Sequence, residues 1–383
     1  MRVLQSAAIF CEVIDNFGDV GVCWRLARQL AQQENLAVTL WVNDLAALKR
    51  LRPAISPSMS AQLLDGLVVK QWQAEHFSHM STDELAVADL VIEAFGCKLP
   101  EPYVEAMAKL AKPPVWINLE YLSAESWVES CHRLPSPHAL LPLTKYFYFP
   151  GFTAATGGLL KEAALDAKRM ALQDDVLSRA AWLEQLGVHL SPDTTLVSLF
   201  CYPSAPLMKL FAAMQIGAPV LCLVPEGVAR EVMTRQLGQT PLPGARAVVG
   251  NLTLQVVPFL EPDDYDSLLS CCDLNFVRGE DSLVRAQWAA RPFIWQAYAQ
   301  EQSAHFDKLA ALADRYVLEL NAAQAATLRK FARSWNGDEE AQMDWSAMQK
   351  LLPALRSHAL KWQQSLSAQT ELAHGLVGFA RQI

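Results

Sequence analysis

Short apolar runs alternate with amphipathic stretches along most of this chain, and the alternation is under way by residue 7. Residues 7–14 read as a buried strand, 15–19 as a loop, and 20–33 as a helix with Cys23, Ala27, Leu30 and Ala31 on one face and Arg25, Arg28 and Gln32 elsewhere. Residues 37–42 form the next strand and complete a β-α-β unit. Further strands are expected at 67–71, 90–95 and 115–118, with a helix at 101–110 before the last of them. Repeated alternation of this kind implies a parallel, doubly wound sheet with helices on both faces.

The pattern breaks at 146–158, which is aromatic and then punctuated by Pro150, Gly151, Gly157 and Gly158, so the domain crossover belongs there. Residues 159–186 read as helical. The alternation then restarts, with strands at 195–201, 219–224, 252–258, 274–277 and 292–296 and helices at 205–214, 263–271 and 282–290. The tail from 338 to 383 is mostly helical. A chain of 383 residues, 52 % of them apolar, has length and buried material for two domains.

The net charge of −8 gives no basis for nonspecific binding to nucleic acid or anionic lipid. No apolar run approaches the roughly 18 residues of a membrane span, and Glu12 and Asp15 interrupt what would otherwise resemble a secretory leader. The eight cysteines lack C-x-x-C or zinc spacing. They read as reduced, buried thiols, and the expected location is the cytoplasm.

Two strand-to-helix junctions carry the chemistry-bearing residues, in the place where α/β proteins bind ligands. The first is Asp15-Asn16-Phe17-Gly18-Asp19. Gly18 and Gly21 flank Asp19 and Val20, a spacing unlike the dinucleotide-binding G-x-G-x-x-G. Asp15 and Asp19 are candidates for acid–base work; the plainer alternatives are an Asx-turn for Asp15 and a helix N-cap for Asp19. The second junction is Arg278-Gly279-Glu280-Asp281-Ser282. Gly279 allows close approach, and backbone N–H groups with the Ser282 hydroxyl at a helix start suit phosphate oxygens, with charge added by Arg278. Its plainer alternative is an acidic N-cap turn with no ligand. Phe200, Tyr202, Phe259, Tyr298, Gln300, Glu301 and Gln302 follow other strand ends. His132 and His138 read as a solvated loop, and Trp182, Trp288 and Trp362 as core.

Three long segments together resemble one family, the bacterial arginine rhamnosyltransferases that modify elongation factor P: F-C-x-V-I-D-N-F-G-D-V-G-V-x-W-R-L-A-R-Q-L at 10–30, F-P-G-F-T-x-x-T-G-G-L at 149–159 and N-F-V-R-G-E-D-S-L-V-R-A-Q-W-A at 275–289. The resemblance covers essentially the whole chain. It implies a GT-B glycosyltransferase: an α/β protein of two Rossmann-like, doubly wound domains facing a cleft. The implied division is an acceptor-binding domain at 1–158, a nucleotide-sugar-binding domain at 159–360, and a helix at 361–383 returning to the first. The implied reaction is inverting transfer from dTDP-β-L-rhamnose to the guanidinium of an arginine on elongation factor P, with no metal and no cofactor.

By resemblance, Asp19 matches the general base, Asp15 a second aspartate needed for activity, and Glu280 the essential glutamate of R-G-E-D-S. Asp281 and Ser282 match diphosphate-contacting positions. Phe259, Arg278 and Gly279 belong to the donor site, and Phe200 and Tyr202 occupy an F-x-Y place lining it. Asn16, Phe17 and Gly18 are assigned to acceptor positioning. Two other readings stand beside this one: a GT-B transferase with a glycan or lipid acceptor, and a noncatalytic translation-factor-binding protein. The intact Asp15, Asp19 and Glu280 count against the second.

Overall fold

In a computed structural model of the chain, the described residues are 2–15, 17–73, 77, 85–298 and 305–383. They form two compact units, one of residues 1–162 with 366–383 and the other of 163–365. These bounds fall a few residues later than 158 and 360.

The first unit holds β1 (Ser6–Cys11), β2 (Ala37–Val42), β3 (Ala61–Leu64), β4 (Leu67–Gln71), β5 (Leu90–Ala94), β6 (Val115–Leu119), β7 (Pro135–Pro137) and β8 (Thr144–Tyr148). They lie in the order β3-β4-β2-β1-β5-β6-β8-β7. All pairings are parallel except the edge hairpins β3/β4 and β7/β8. The helix Gly18–Gln32 links β1 to β2 and buries Val20, Cys23, Trp24, Leu26, Ala27 and Leu30. Arg25 is buried with them rather than on an outer face, and Glu162 pairs with its guanidinium at 3.3 Å. Beneath β1, Phe10 stacks on Trp41 and meets Tyr103 edge-on at 4.8 Å, a dense aromatic core of the kind that dominates burial energy.

The aromatic, glycine-rich crossover has a structural explanation in the C-terminal helix Leu372–Gln382, which belongs to the first unit. Leu372 N–H donates to the Leu159 carbonyl at 3.0 Å, Arg2 N–H to the Arg381 carbonyl at 2.8 Å, and Phe379 meets Tyr146 edge-on. Gly158 sits at φ +73°, and a Cβ there would lie 2.0 Å from the Thr370 carbonyl oxygen. Gly158→Ala therefore combines left-handed backbone strain with a clash against main chain, and is expected to lower unfolding free energy by about 3 kcal/mol. Urea denaturation checks this; an unchanged midpoint contradicts the packing.

The second unit contains β9 (Thr195–Leu199), β10 (Val220–Pro225), β11 (Arg246–Val249), β12 (Leu252–Val257), β13 (Leu274–Arg278) and β14 (Phe293–Gln296), in the order β11-β12-β10-β9-β13-β14. Only β11 is antiparallel to its neighbour among these pairings. The helical reading of 159–186 resolves into two helices, Leu165–Asp174 and Val176–Gln185. Asp175 breaks them: its backbone is extended and its carboxylate caps the second by accepting from Leu177 N–H.

All eight cysteines are free thiols, seven of them buried. Burial pushes the Cys271 thiol up to about 11, which leaves it un-ionised and unreactive near neutrality. Trp288 is core, Trp182 is partly buried, and Trp362 bonds through its indole N–H to Gln287. The solvated-loop reading is corrected for His132. His132 Nδ1 accepts from Phe149 N–H at 3.1 Å, and burial, aided by Arg133, pushes its pKa down to about 4. His138 Nδ1 accepts from Leu140 and Leu141 N–H.

Candidate active site in two parts

Each sheet has one place where successive crossovers diverge to opposite sides. In the first unit it is β1, flanked by β2 and β5; in the second it is β9, flanked by β10 and β13. The crevice at the carboxyl ends of such strands is the expected ligand position of a doubly wound sheet. The two junctions singled out in the sequence sit at these two places.

In the first unit, β1 ends at Cys11 and the helix begins at Gly18. Phe17 holds the position before the helix and makes no side-chain capping bond. Asp19 is therefore inside the first turn and is not the N-cap. It is 3 % exposed, and its Oδ2 turns back to accept from Ile14 N–H and Asp15 N–H, each at 2.9 Å. Burial pushes its pKa above the usual carboxylate value; these two amides and the Tyr121 hydroxyl oppose that rise, and the nearby Asp15 adds to it. The result is a fixed, desolvated carboxylate with increased basicity.

Gly18 N–H donates to the Asp15 carbonyl at 2.7 Å, closing the turn. A Cβ on Gly18 would come within 2.8 Å of Asp15 Oδ2, so the glycine makes room for that carboxylate. Phe17 lies under the Arg50 guanidinium at 5.2 Å. Asn16 lies outside the described residues, as do Gln300, Glu301 and Gln302.

In the second unit, β13 ends at Arg278, Gly279 turns at φ +59°, and the helix Asp281–Trp288 follows. Glu280 precedes that helix and makes no side-chain capping bond, so the acidic N-cap alternative lacks its defining contact. The Arg278 guanidinium lies 4.7 Å from the Phe200 ring centre and 4.5 Å from that of Tyr202. Phe200 in turn meets Phe259 and Tyr265. The structure thus brings Phe200, Tyr202, Phe259 and Arg278 into one aromatic and cationic cluster beside the Ser282 helix. The Ser282 hydroxyl accepts from Arg278 N–H at 3.0 Å and donates to the Arg278 carbonyl, so here it ties the turn together.

Sequence reasoning missed the residues that brace this turn. Trp295 Nε1–H donates to the Gly279 carbonyl at 2.8 Å, and Gln296 Oε1 accepts from Tyr202 N–H at 2.8 Å. Both lie at the end of β14, beside β13, and only that strand pairing signals their role. Behind the turn, Arg285 makes a two-bond ion pair with Asp266 at 2.8 and 2.7 Å, both side chains buried.

Known proteins resemble this chain along nearly its whole length. A family profile described as Elongation-Factor P (EF-P) rhamnosyltransferase EarP matches residues 7–381. A protein-arginine rhamnosyltransferase of Pseudomonas putida is 45 % identical over 375 residues, covering 97 % of this chain and 98 % of that one. Its counterpart in Pseudomonas aeruginosa is 45 % identical over 381 residues, covering 98 % and 99 %. A solved structure described as the structural basis for EarP-mediated arginine glycosylation of translation elongation factor EF-P aligns with TM-score 0.69 at 34 % identity, covering 99 % of both chains. Its likeness extends over both doubly wound units, the pair that makes up the GT-B fold. With that match spanning nearly its full length, the chain belongs to the EarP family of elongation factor P arginine rhamnosyltransferases.

Proposed function

We propose that this protein transfers rhamnose from dTDP-β-L-rhamnose to an arginine guanidinium of elongation factor P, with inversion at the anomeric carbon. The observation that carries the acceptor half is Asp19: a buried carboxylate fixed by two backbone N–H groups, with its pKa raised by desolvation. A guanidinium has a pKa above about 12, so its nitrogen is a poor nucleophile while protonated. Asp19 holds the acceptor, localises its positive charge and takes the proton as the C–N bond forms. Asp15, which raises the Asp19 pKa, shares the acceptor site, and Phe17 and Gly18 shape it.

The donor half rests on the second junction. The thymine ring is assigned to the aromatic cluster of Phe200, Tyr202 and Phe259. The leaving diphosphate is assigned to the turn Arg278–Gly279 and to the backbone N–H groups of Asp281 and Ser282 at the start of the helix Asp281–Trp288. Glu280 is assigned to a sugar hydroxyl. No metal or cofactor enters the reading, because helix N–H groups and a guanidinium meet the leaving-group charge. A translation factor as acceptor puts the reaction in the cytoplasm. Among the described residues, no helix is long and apolar enough to cross a membrane.

Incubation with dTDP-rhamnose and elongation factor P should add one deoxyhexose to the acceptor by mass, and excess EDTA should leave the rate unchanged. No mass gain with an active control rules the reading out. Loss of transfer in EDTA, restored by a divalent ion, overturns the metal-free assignment alone.

A further inference from the structure

Phe95, which follows β5, is the only aromatic residue among the described non-glycine residues with positive φ, at +58°. An L side chain of this bulk is strained in left-handed backbone, and such strain persists only where surrounding contacts overdetermine it. Phe95 N–H donates to the Leu119 carbonyl at 2.7 Å, which ties it to the end of β6. Its ring stacks on Tyr121 with centres 4.6 Å apart and planes 15° from parallel. Tyr121, two residues past β6, is half-buried, and its backbone N–H is held by the Glu120 carboxylate. The strands β1, β5 and β6 are consecutive neighbours in the sheet, so their carboxyl ends place Asp19, Phe95 and Tyr121 side by side.

We propose that Tyr121 is a positioning residue for Asp19: its hydroxyl donates to the Asp19 carboxylate, and the strained, stacked Phe95 fixes the ring that carries it. Two backbone amides already hold Oδ2 of Asp19. A third donor on a different element limits rotation of the carboxylate and stabilises its ionised form, which is the form that accepts a proton. The other titratable groups facing Asp19 are Asp15 and Cys23, and burial keeps the Cys23 thiol un-ionised. This inference rests on the proposed role of Asp19 as base.

Tyr121→Phe keeps the ring and the stack and removes only the hydroxyl. In the full-length enzyme its kcat at neutral pH should fall about tenfold to a hundredfold, the range of one hydrogen bond to a charged group. KM for the nucleotide sugar should not change. The deficit should shrink as pH rises, because the variant's Asp19 ionises at higher pH than in the parent. Carboxyl-carbon NMR of Asp19 reads the same displacement without reference to turnover. An Asp19 titration identical in the two proteins, or a rate equal to the parent's at every pH, overturns the proposal. Asp19→Asn separates the two ideas: transfer at the parental rate removes the base assignment, whereas the NMR titration still decides whether Tyr121 governs the carboxylate.

Discussion

Asp19→Asn is expected to cut sugar transfer by about a thousandfold or more, the upper range for loss of a general base, while nucleotide affinity measured by calorimetry stays at the parental value. The amide oxygen can still accept from Ile14 and Asp15 N–H, so the loop bonds at 2.9 Å need not break. What is lost, on the proposed role of Asp19, is the negative charge that draws in a guanidinium and the site that takes its proton. A variant that transfers normally, or one that no longer binds the nucleotide, contradicts the role given to this residue.

The pH dependence follows from the same burial. Protonated Asp19 cannot act as base, and its pKa is raised by desolvation, so the acidic limb of kcat/KM lies above the ordinary carboxylate range. The stability linkage has the matching sign. A carboxyl whose pKa is higher folded than unfolded binds its proton more tightly when folded, so its contribution is lost as pH rises through the folded pKa. At neutral pH the ionised Asp19 is therefore a cost to the fold, and Asp19→Asn should be as stable as the parent or more so. Activity and stability pull against each other at this position.

The second large effect lies behind the donor turn. Arg285→Ala removes the partner of the buried Asp266 carboxylate and leaves a charge with little access to water. Breaking such a pair from one side costs about 3–5 kcal/mol. That is a large share of the roughly 5–15 kcal/mol by which domains are usually stable. The urea midpoint should drop accordingly. The double variant Arg285→Met with Asp266→Leu should recover most of the loss, because matched apolar side chains need no ion pair. A single variant as stable as the parent means that water or another group reaches Asp266. The helices Pro262–Cys271 and Asp281–Trp288 are joined by this pair, so the single variant should also weaken donor binding.

Strand existence was legible wherever a strand is buried on both faces. Residues 37–42 and 67–71 read as strands with the bounds they have, the first crowded with Val, Leu and Trp and the second opening on Leu67, Val68 and Val69, although the second is only partly buried. The edges were not legible. β3 pairs with β4 across Asp65 and Gly66, both at positive φ; this Asp-Gly turn marks a hairpin whose first strand, only four residues long and partly exposed, gives little signal of its own. β11 is equally short, and its outward Val248 is exposed. The site divides similarly. Asp15, Asp19 and Arg278–Ser282 announce themselves as acidic, basic and glycine-bearing runs at strand ends. Tyr121, Phe95 and Gln296 do not, because each acts across a neighbouring strand and strand order is not written locally. Nor does composition say that Ser282 would bond back to Arg278, or that the Arg278 guanidinium would lie between two rings.

The return of the last helix to the first unit has a consequence for biosynthesis. The second unit is one uninterrupted stretch, 163–365, whereas the first is assembled from 1–162 and 366–383. During translation the later unit has all its parts before the earlier one does. The aromatic face of Tyr146 and Tyr148 waits, uncovered by Phe379, until residues 366–383 have been made. Maturation of these two units therefore runs opposite to the usual N-terminal-first order of domain folding, and the unit that holds residues 1–162 is completed after the one that follows it in sequence.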